Sequence, residues 1–114
     1  MQLKGMEFDF DFTDAEDLER YETAFEQLQK ADTTAEKASE MVRKQCAATK
    51  AFFDAVLGKG AYEKLVSKPS SGLENANAIL DFVEGYTQAM EQVEQQRAER
   101  LKKYKQYTAP KRRV

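Results

Sequence analysis

Apolar and acidic residues alternate close to the start of the chain. An acidic residue stands between each neighbouring pair of the apolar residues Met6, Phe8, Phe10 and Phe12. Because side chains in a strand point alternately to its two faces, this pattern predicts a half-buried β-strand within residues 2–12. The Lys4-Gly5 pair suits a tight turn, so residues 2–3 are expected to pair with that strand as a short hairpin.

The first long helix is predicted from Asp14 to about Ala31. Thr13 and Glu16 form a capping box, in which the two side chains satisfy free backbone amides at a helix start. The apolar residues that follow recur at three- and four-residue steps, as one face of a helix requires. They are Leu18, Tyr21, Phe25 and Leu28.

A second long helix is predicted to begin near Thr34, where another capping box stands, and to end at Gly58 and Gly60. Its apolar stripe consists of Ala38, Val42, Cys46, Thr49, Phe53 and Val56. One continuous helix over residues 14–57 is the alternative, and the sequence leaves it open. A short helix over residues 61–66 is expected next.

The last helix is predicted to begin at a third capping box, Ser71 with Glu74, and to run through about Tyr104. Its predicted stripe is Leu73, Ala76, Leu80, Val83, Met90 and Val93, with Ile79, Phe82 and Tyr86 beside it. Such a helix is about 48 Å long at 1.5 Å per residue and projects beyond a small core. After Val93 it is polar on nearly every side, which is typical of a helix that is solvated or awaits a partner.

These elements predict a mainly α fold, a small bundle of three longer helices and a short one with an N-terminal strand or hairpin. A chain of 114 residues has room for one core, so residues 1–106 are expected to form a single domain. Residues 107–114 are expected to be a flexible basic tail. No apolar run approaches the roughly 20 residues that span a bilayer, and a single cysteine fits a reducing cytoplasm.

Catalytic and metal chemistry find little support in the composition. The chain has no histidine and a single cysteine, Cys46, which falls in an apolar helical stripe and is expected in the core. An EF-hand loop counted from Asp9 fails, because its sixth position is Asp14 and its twelfth is Arg20. We therefore expect no enzyme, no catalytic residues, no bound metal and no cofactor.

Charge is divided sharply along the chain. Residues 1–40 hold 12 acidic and 4 basic side chains, whereas residues 97–114 hold 8 basic and 1 acidic. The basic end is a candidate partner-binding surface that includes Arg97, Arg100 and Lys103, followed by the tail residues Lys111, Arg112 and Arg113. A small nucleic-acid-binding module that uses this end is the alternative function. The pI near 5.3 makes nucleic acid the less favoured partner.

The N-terminal strand is a second candidate surface. A lone strand or short hairpin leaves an unpaired edge, through which two copies of the chain or a partner could join. Phe8, Phe10 and Phe12 are the predicted contact residues of this interface, and homo-oligomers through the strand are expected from it. The alternative is a strand laid across its own helices, and the pattern does not choose between the two.

The layout of the chain resembles a known group of proteins. The segments that carry the resemblance are Glu7–Asp11 leading into Asp14–Glu16, Tyr21–Ala24, Phe52–Asp54 before Leu57–Gly60, and the ending Tyr107–Arg113. They resemble short helical tail-assembly proteins, or tail-assembly chaperones, of tailed bacteriophages and prophages of Gram-positive bacteria. The resemblance covers most of the chain and contains no catalytic motif.

The resemblance implies a function and a set of partners. It implies a cytoplasmic factor of the bacterial host cell that binds the tape-measure protein or the tail-tube subunits until the tail has assembled. Together with the composition, it predicts a non-enzymatic protein-binding chaperone without a membrane partner.

Overall fold

The computed structural model describes residues 1–108. Within them lie two short strands and four helices: β1 (Gln2–Leu3), β2 (Met6–Glu7), α1 (Ala15–Lys30), α2 (Ala38–Leu57), α3 (Ala61–Leu65) and α4 (Gly72–Thr108). The predicted mainly α fold with an N-terminal hairpin is confirmed. The predicted tail residues Lys111, Arg112 and Arg113 lie outside the described residues.

The hairpin forms at the predicted turn but is shorter than the alternation suggests. Lys4 and Gly5 both have positive φ, 49° and 75°, as a two-residue turn between antiparallel strands requires. Gln2 pairs with Glu7 and Leu3 with Met6. Phe8 still exchanges backbone hydrogen bonds with Met1 at 2.7 and 2.9 Å. Beyond it the Phe10 amide donates to the Phe8 carbonyl at 2.9 Å, which turns the chain away from its partner strand.

The first two long helices are separate, and their caps differ from the predicted ones. Asp14 caps α1 by accepting from the Asp17 amide, while the predicted cap Thr13 donates to Asp11 instead. The predicted second capping box, Thr33 with Glu36, does not start α2, whose N-cap is Lys37 without a side-chain hydrogen bond. Asp32 before it accepts from both the amide and the hydroxyl of Thr34. That local turn competes with helix formation, so α2 begins only at Ala38.

The glycines after α2 act as the sequence predicts. Gly58 ends α2 with φ 93°, and Gly60, in the left-handed conformation, precedes α3. A buried polar network then joins α3 to α4. The Tyr62 hydroxyl donates to Asn75 Oδ1 at 2.8 Å, and the Asn75 amide donates to the Ser71 carbonyl at 2.7 Å.

The core is built largely from aromatic rings that meet around Phe82, which is fully buried. Five rings have centroids between 5.1 and 5.8 Å from that of Phe82: Phe10, Phe12, Tyr21, Phe52 and Phe53. Most of these pairs are edge-on or tilted, the arrangements that ring quadrupoles favour. The N-terminal segment, α1, α2 and α4 therefore share one core.

Helix α4 differs from the prediction in its length and in its buried face. It contains 37 residues, about 55 Å at 1.5 Å per residue, and includes Tyr107 and Thr108, which were predicted to belong to the tail. Its buried side chains are Asn75, Ala78 and Phe82, whereas Leu73 and Leu80 of the predicted core stripe are 74% and 58% exposed. Ala76 of that stripe is exposed as well, so the predicted stripe is wrong at these three positions.

The helix also divides the molecule into two parts. Residues 1–93, called the body here, contain every side chain that is buried within residues 1–107. Residues 94–108, called the arm, continue α4 away from the body, and residues 94–107 are exposed at every position. The described chain is accordingly elongated, with extents of 79 × 28 × 21 Å.

Candidate partner-binding surfaces

The three N-terminal phenylalanines are core residues. Phe8, Phe10 and Phe12 are 8%, 4% and 5% exposed, because the chain turns after Phe8 and these rings pack into the core. Phe12 lies between Phe82 and Tyr86, with ring centroids 5.1 and 5.5 Å away. As folded, they offer almost no surface to a partner, so the predicted strand-borne interface is corrected to an intramolecular one.

The start of the chain is also held by hydrogen bonds within the hairpin and to α3. The amino group of Met1 donates to Glu7 Oε1 at 2.8 Å and to the Phe8 carbonyl at 2.9 Å. Lys4 Nζ donates to the Leu65 carbonyl at 2.6 Å, across to the end of α3. The Met1 contacts close the hairpin, and the Lys4 contact fixes it against the end of α3.

Acidic side chains around the start of α1 accept hydrogen bonds from nearby backbone amides. The Asp11 carboxylate accepts from the hydroxyl and the amide of Thr13 at 2.7 and 2.8 Å, and these hydrogen bonds lower the pKa of Asp11. Asp17 accepts from the Asp11 amide and pairs with Arg20. Within residues 1–108, no three His, Cys, Asp or Glu side chains come together in a way that could hold a metal ion.

A second charged cluster joins α2 to α3. Lys50 Nζ lies 2.6 Å from Glu63 and 3.1 Å from Asp54, and 5.5 Å from the centre of the Tyr62 ring. The hydrogen bond to Glu63 raises the pKa of Lys50 and lowers that of Glu63. Its position beside the helix junction gives this cluster a structural role. Cys46, one helical turn before Lys50, is buried as predicted.

The arm presents the predicted basic residues. Arg97, Arg100 and Lys103 all lie on its exposed helix, where Arg97 approaches Glu94 at 4.0 Å and Arg100 donates to Gln96 at 3.4 Å. Such exposed pairs contribute little to stability. The guanidinium groups of the two arginines can therefore reorient toward a partner at small cost.

Helical geometry aligns these residues with the buried face of α4. Eighteen residues make five turns at 3.6 residues per turn, so Arg100 points in nearly the same direction as Phe82. Lys103 and Arg97 flank Arg100 on this side, which we call the inner face of the arm. Tyr104 and Tyr107 lie there too and are 62% and 86% exposed.

The inner face combines charge with apolar area. Two tyrosine rings among three cations form the kind of surface that interfaces favour, since aromatic and arginine side chains dominate binding energies. Sequence reasoning identified the cations as a candidate surface but did not place them on one face with Tyr104 and Tyr107. That they share one face depends on the helix continuing without a break through Tyr107.

The body and the arm carry opposite charge. Residues 1–93 hold 18 acidic and 10 basic side chains, while residues 94–108 hold 2 acidic and 5 basic. The potential around the arm therefore attracts acidic surfaces, including the body of another copy. No helix within residues 1–108 has the length and apolar character needed to cross a lipid bilayer.

These features define a mainly α protein with an aromatic core and a projecting basic helix. The chain belongs to a family whose description is "Family of unknown function (DUF6673)", and the family model matches residues 4–114. No curated protein and no solved structure matches the chain.

Proposed function

We propose that the chain is a non-enzymatic protein-binding factor, a tail-assembly chaperone that holds tape-measure or tail-tube protein in the host cytoplasm. The observation that carries the binding role is the arm, about 22 Å of helix at 1.5 Å per residue that is exposed throughout residues 94–107. The choice of partner rests on the resemblance to tail-assembly proteins of bacteriophages and prophages.

The inner face defines the chemistry of that partner. Arg97, Arg100 and Lys103 favour acidic side chains, and Tyr104 and Tyr107 favour apolar or planar groups. The inner face of the arm continues the direction in which α4 packs against α1 and α2 in the body. A partner helix that lies on the arm therefore occupies the place that the chain's own helices occupy beside residues 75–86.

A binding experiment with a matched control tests the proposal. The probe is purified tape-measure or tail-tube protein from the same genome, and the variant is Arg97→Glu, Arg100→Glu, Lys103→Glu. We expect capture by the native chain and at least about a tenfold loss with the variant, which corresponds to about 1.4 kcal/mol. The control, Arg43→Glu, Lys59→Glu, Lys64→Glu, reverses three exposed charges on the body and should bind normally.

Two outcomes of this binding experiment would contradict the proposal. If neither probe binds the native chain, the assignment of the partner is wrong. If the arm and body variants lose binding equally, the effect is one of net charge and the arm is not the surface.

Nucleic acid is the alternative partner, and one feature favours it. Tyr104 and Tyr107 stand among cations on an exposed helix, as stacking residues do in single-strand binding proteins. An oligonucleotide titration separates this function from the chaperone. Affinity that falls steeply with salt, with no binding of the protein probes, would indicate phosphate recognition.

A further inference from the structure

Helix α4 carries a second apolar face, on the side turned away from the core. Its members alternate at steps of three and four residues: Leu73, Ala76, Leu80, Val83, Thr87 and Met90, with Leu101 continuing the series after a polar interruption. Met90, at the edge of this series, is partly buried against the core, and the Thr87 hydroxyl donates to the Val83 carbonyl. We call this set the outer face. Leu73, Leu80 and Leu101 on it are 74%, 58% and 49% exposed.

The spacing distinguishes this face from scattered surface leucines. Single exposed apolar residues are normal and need no partner, but strict alternation of three and four steps is the seam pattern of helices that pair along their length. The two interrupting positions are Glu94 and Arg97. Charged residues at seam positions lower stability and restrict which orientation and register can form.

The charges of α4 identify the occupant. Residues 72–94 contain five acidic and no basic side chains, and residues 95–108 contain five basic and one acidic. Glu84 and Glu91 flank the outer face on the same side as Lys102 and Lys105, as follows from 3.6 residues per turn. Two copies that pair antiparallel place each acidic half against a basic half, whereas a parallel pair opposes like charges throughout.

We propose that the outer face of α4 binds the outer face of a second copy, with the two helices antiparallel. The dimer covers Leu73 and Leu80 of one chain with the arm of the other, and it leaves Arg100, Lys103 and the two tyrosines of each inner face open. The surface that it uses shares only the edge residue Arg97 with that of the proposed function, and it does not depend on that function.

Sedimentation velocity of the full chain over a concentration series tests this inference. We expect a dimer that dissociates more readily as salt is raised to about 1 M, where the Debye length is roughly 3 Å. Leu80→Lys places one added charge per chain, and so two per dimer, on the seam. It should raise the dissociation constant of the dimer at least about 100-fold. Gln92→Lys adds the same charge on the opposite side of α4 and should leave the dimer unchanged.

A second variant determines the orientation. Lys102→Glu with Lys105→Glu turns the attraction of an antiparallel pair into repulsion, whereas in a parallel pair it exchanges one like-charge contact for another. We expect the double variant to be monomeric where the native chain dimerises, and we expect its dimer to return on mixing with Glu84→Lys, Glu91→Lys. Circular dichroism should show all variants folded, since the changed residues are exposed.

Several outcomes would overturn the proposal. A native chain that stays monomeric at the highest concentration tested has no such interface. A dimer that tolerates Leu80→Lys uses another surface, and one that tightens with salt or ignores the Lys102/Lys105 change is not antiparallel. If the chain is monomeric and binds a partner protein through the outer face, that face is a partner interface and not a dimer interface.

Discussion

The two halves of α4 are one continuous helix held by different forces. From Asn75 to Tyr86 the helix is fixed by packing, and Phe82 alone contacts five aromatic rings. From Glu94 to Thr108 no packing against the body is present, and only helix propensity and weak local pairs hold the backbone. Isolated helices of this length are marginal in water. The comparison shows that the same secondary structure serves as a wall of the core in one half and as an exposed binding element in the other.

The largest effect should come from removing the ring at the centre of the core. Phe82→Ala is expected to cost about 3–5 kcal/mol of unfolding free energy, since it leaves a cavity among five rings. Urea denaturation followed by circular dichroism measures this loss. Gln106→Ala, on the arm of the same helix and outside both proposed faces, should leave the denaturation midpoint of the body nearly unchanged. An equal loss for both would show that the arm is part of the cooperative unit.

The next effect concerns the polar contact at the start of α4. Asn75 is 2% exposed and hydrogen-bonds Tyr62 and the Ser71 carbonyl, so Asn75→Ala leaves buried groups unpaired at a cost of about 1–3 kcal/mol. Asn77→Ala, two residues further on and exposed, is the matched control and should not destabilise. Equal denaturation midpoints for the two variants would mean that the network adds nothing to stability.

A pair of alanines compares backbone stability in the two halves. Ala98→Gly on the arm should lower the free energy of local helix opening by about 1 kcal/mol. We expect faster amide exchange over residues 94–108 and an unchanged thermal midpoint of the body. Ala78→Gly replaces a buried alanine on the body half and should lower that midpoint. If amides of the arm exchanged as slowly as those of the body, the two halves of α4 would not differ in backbone stability. In a dimer, the same result would support the outer-face contact.

The smallest expected effect is a dependence on alkaline pH. Burial, with Tyr86 nearby, raises the pKa of Tyr21. The unfolded chain therefore loses this proton first, near pH 10, and the stability present below that value declines as pH rises further. Tyr21→Phe removes the titrating hydroxyl, so the unfolding free energy of this variant should decline less between about pH 9 and about pH 11. Identical slopes for variant and native chain would assign the alkaline loss to other groups.

Local signals in the sequence predicted much of the fold. Lys4-Gly5 located the hairpin turn, and Gly58 located the end of α2, because both depend on backbone conformations that few residues adopt. Ser71 was predicted to cap α4, and it does accept the Glu74 amide at 3.1 Å. The partner half of that capping box is absent, since the Glu74 carboxylate instead binds the backbone of residues 67–68.

The errors arose where two patterns overlap. Helix α4 has apolar residues on two faces, so periodicity alone could not say that Phe82 turns inward and Leu80 outward. Alternation in the N-terminal segment correctly identified an apolar set, but burial of Phe10 and Phe12 against the aromatic rings was achieved without extending the strand. The burial of Asn75 had no signal, because it depends on Tyr62 arriving from another helix.

The absence of any glycine or proline between Tyr86 and Thr108 has a consequence for the size of what the arm can hold. Without a hinge residue, the arm keeps a fixed angle to the body, and the body closes one end of the inner face. At most about 15 residues of a bound helix, the number that the arm itself contains, can lie along the inner face between residues 94 and 108. The geometry thus sets a limit on length as well as on chemistry.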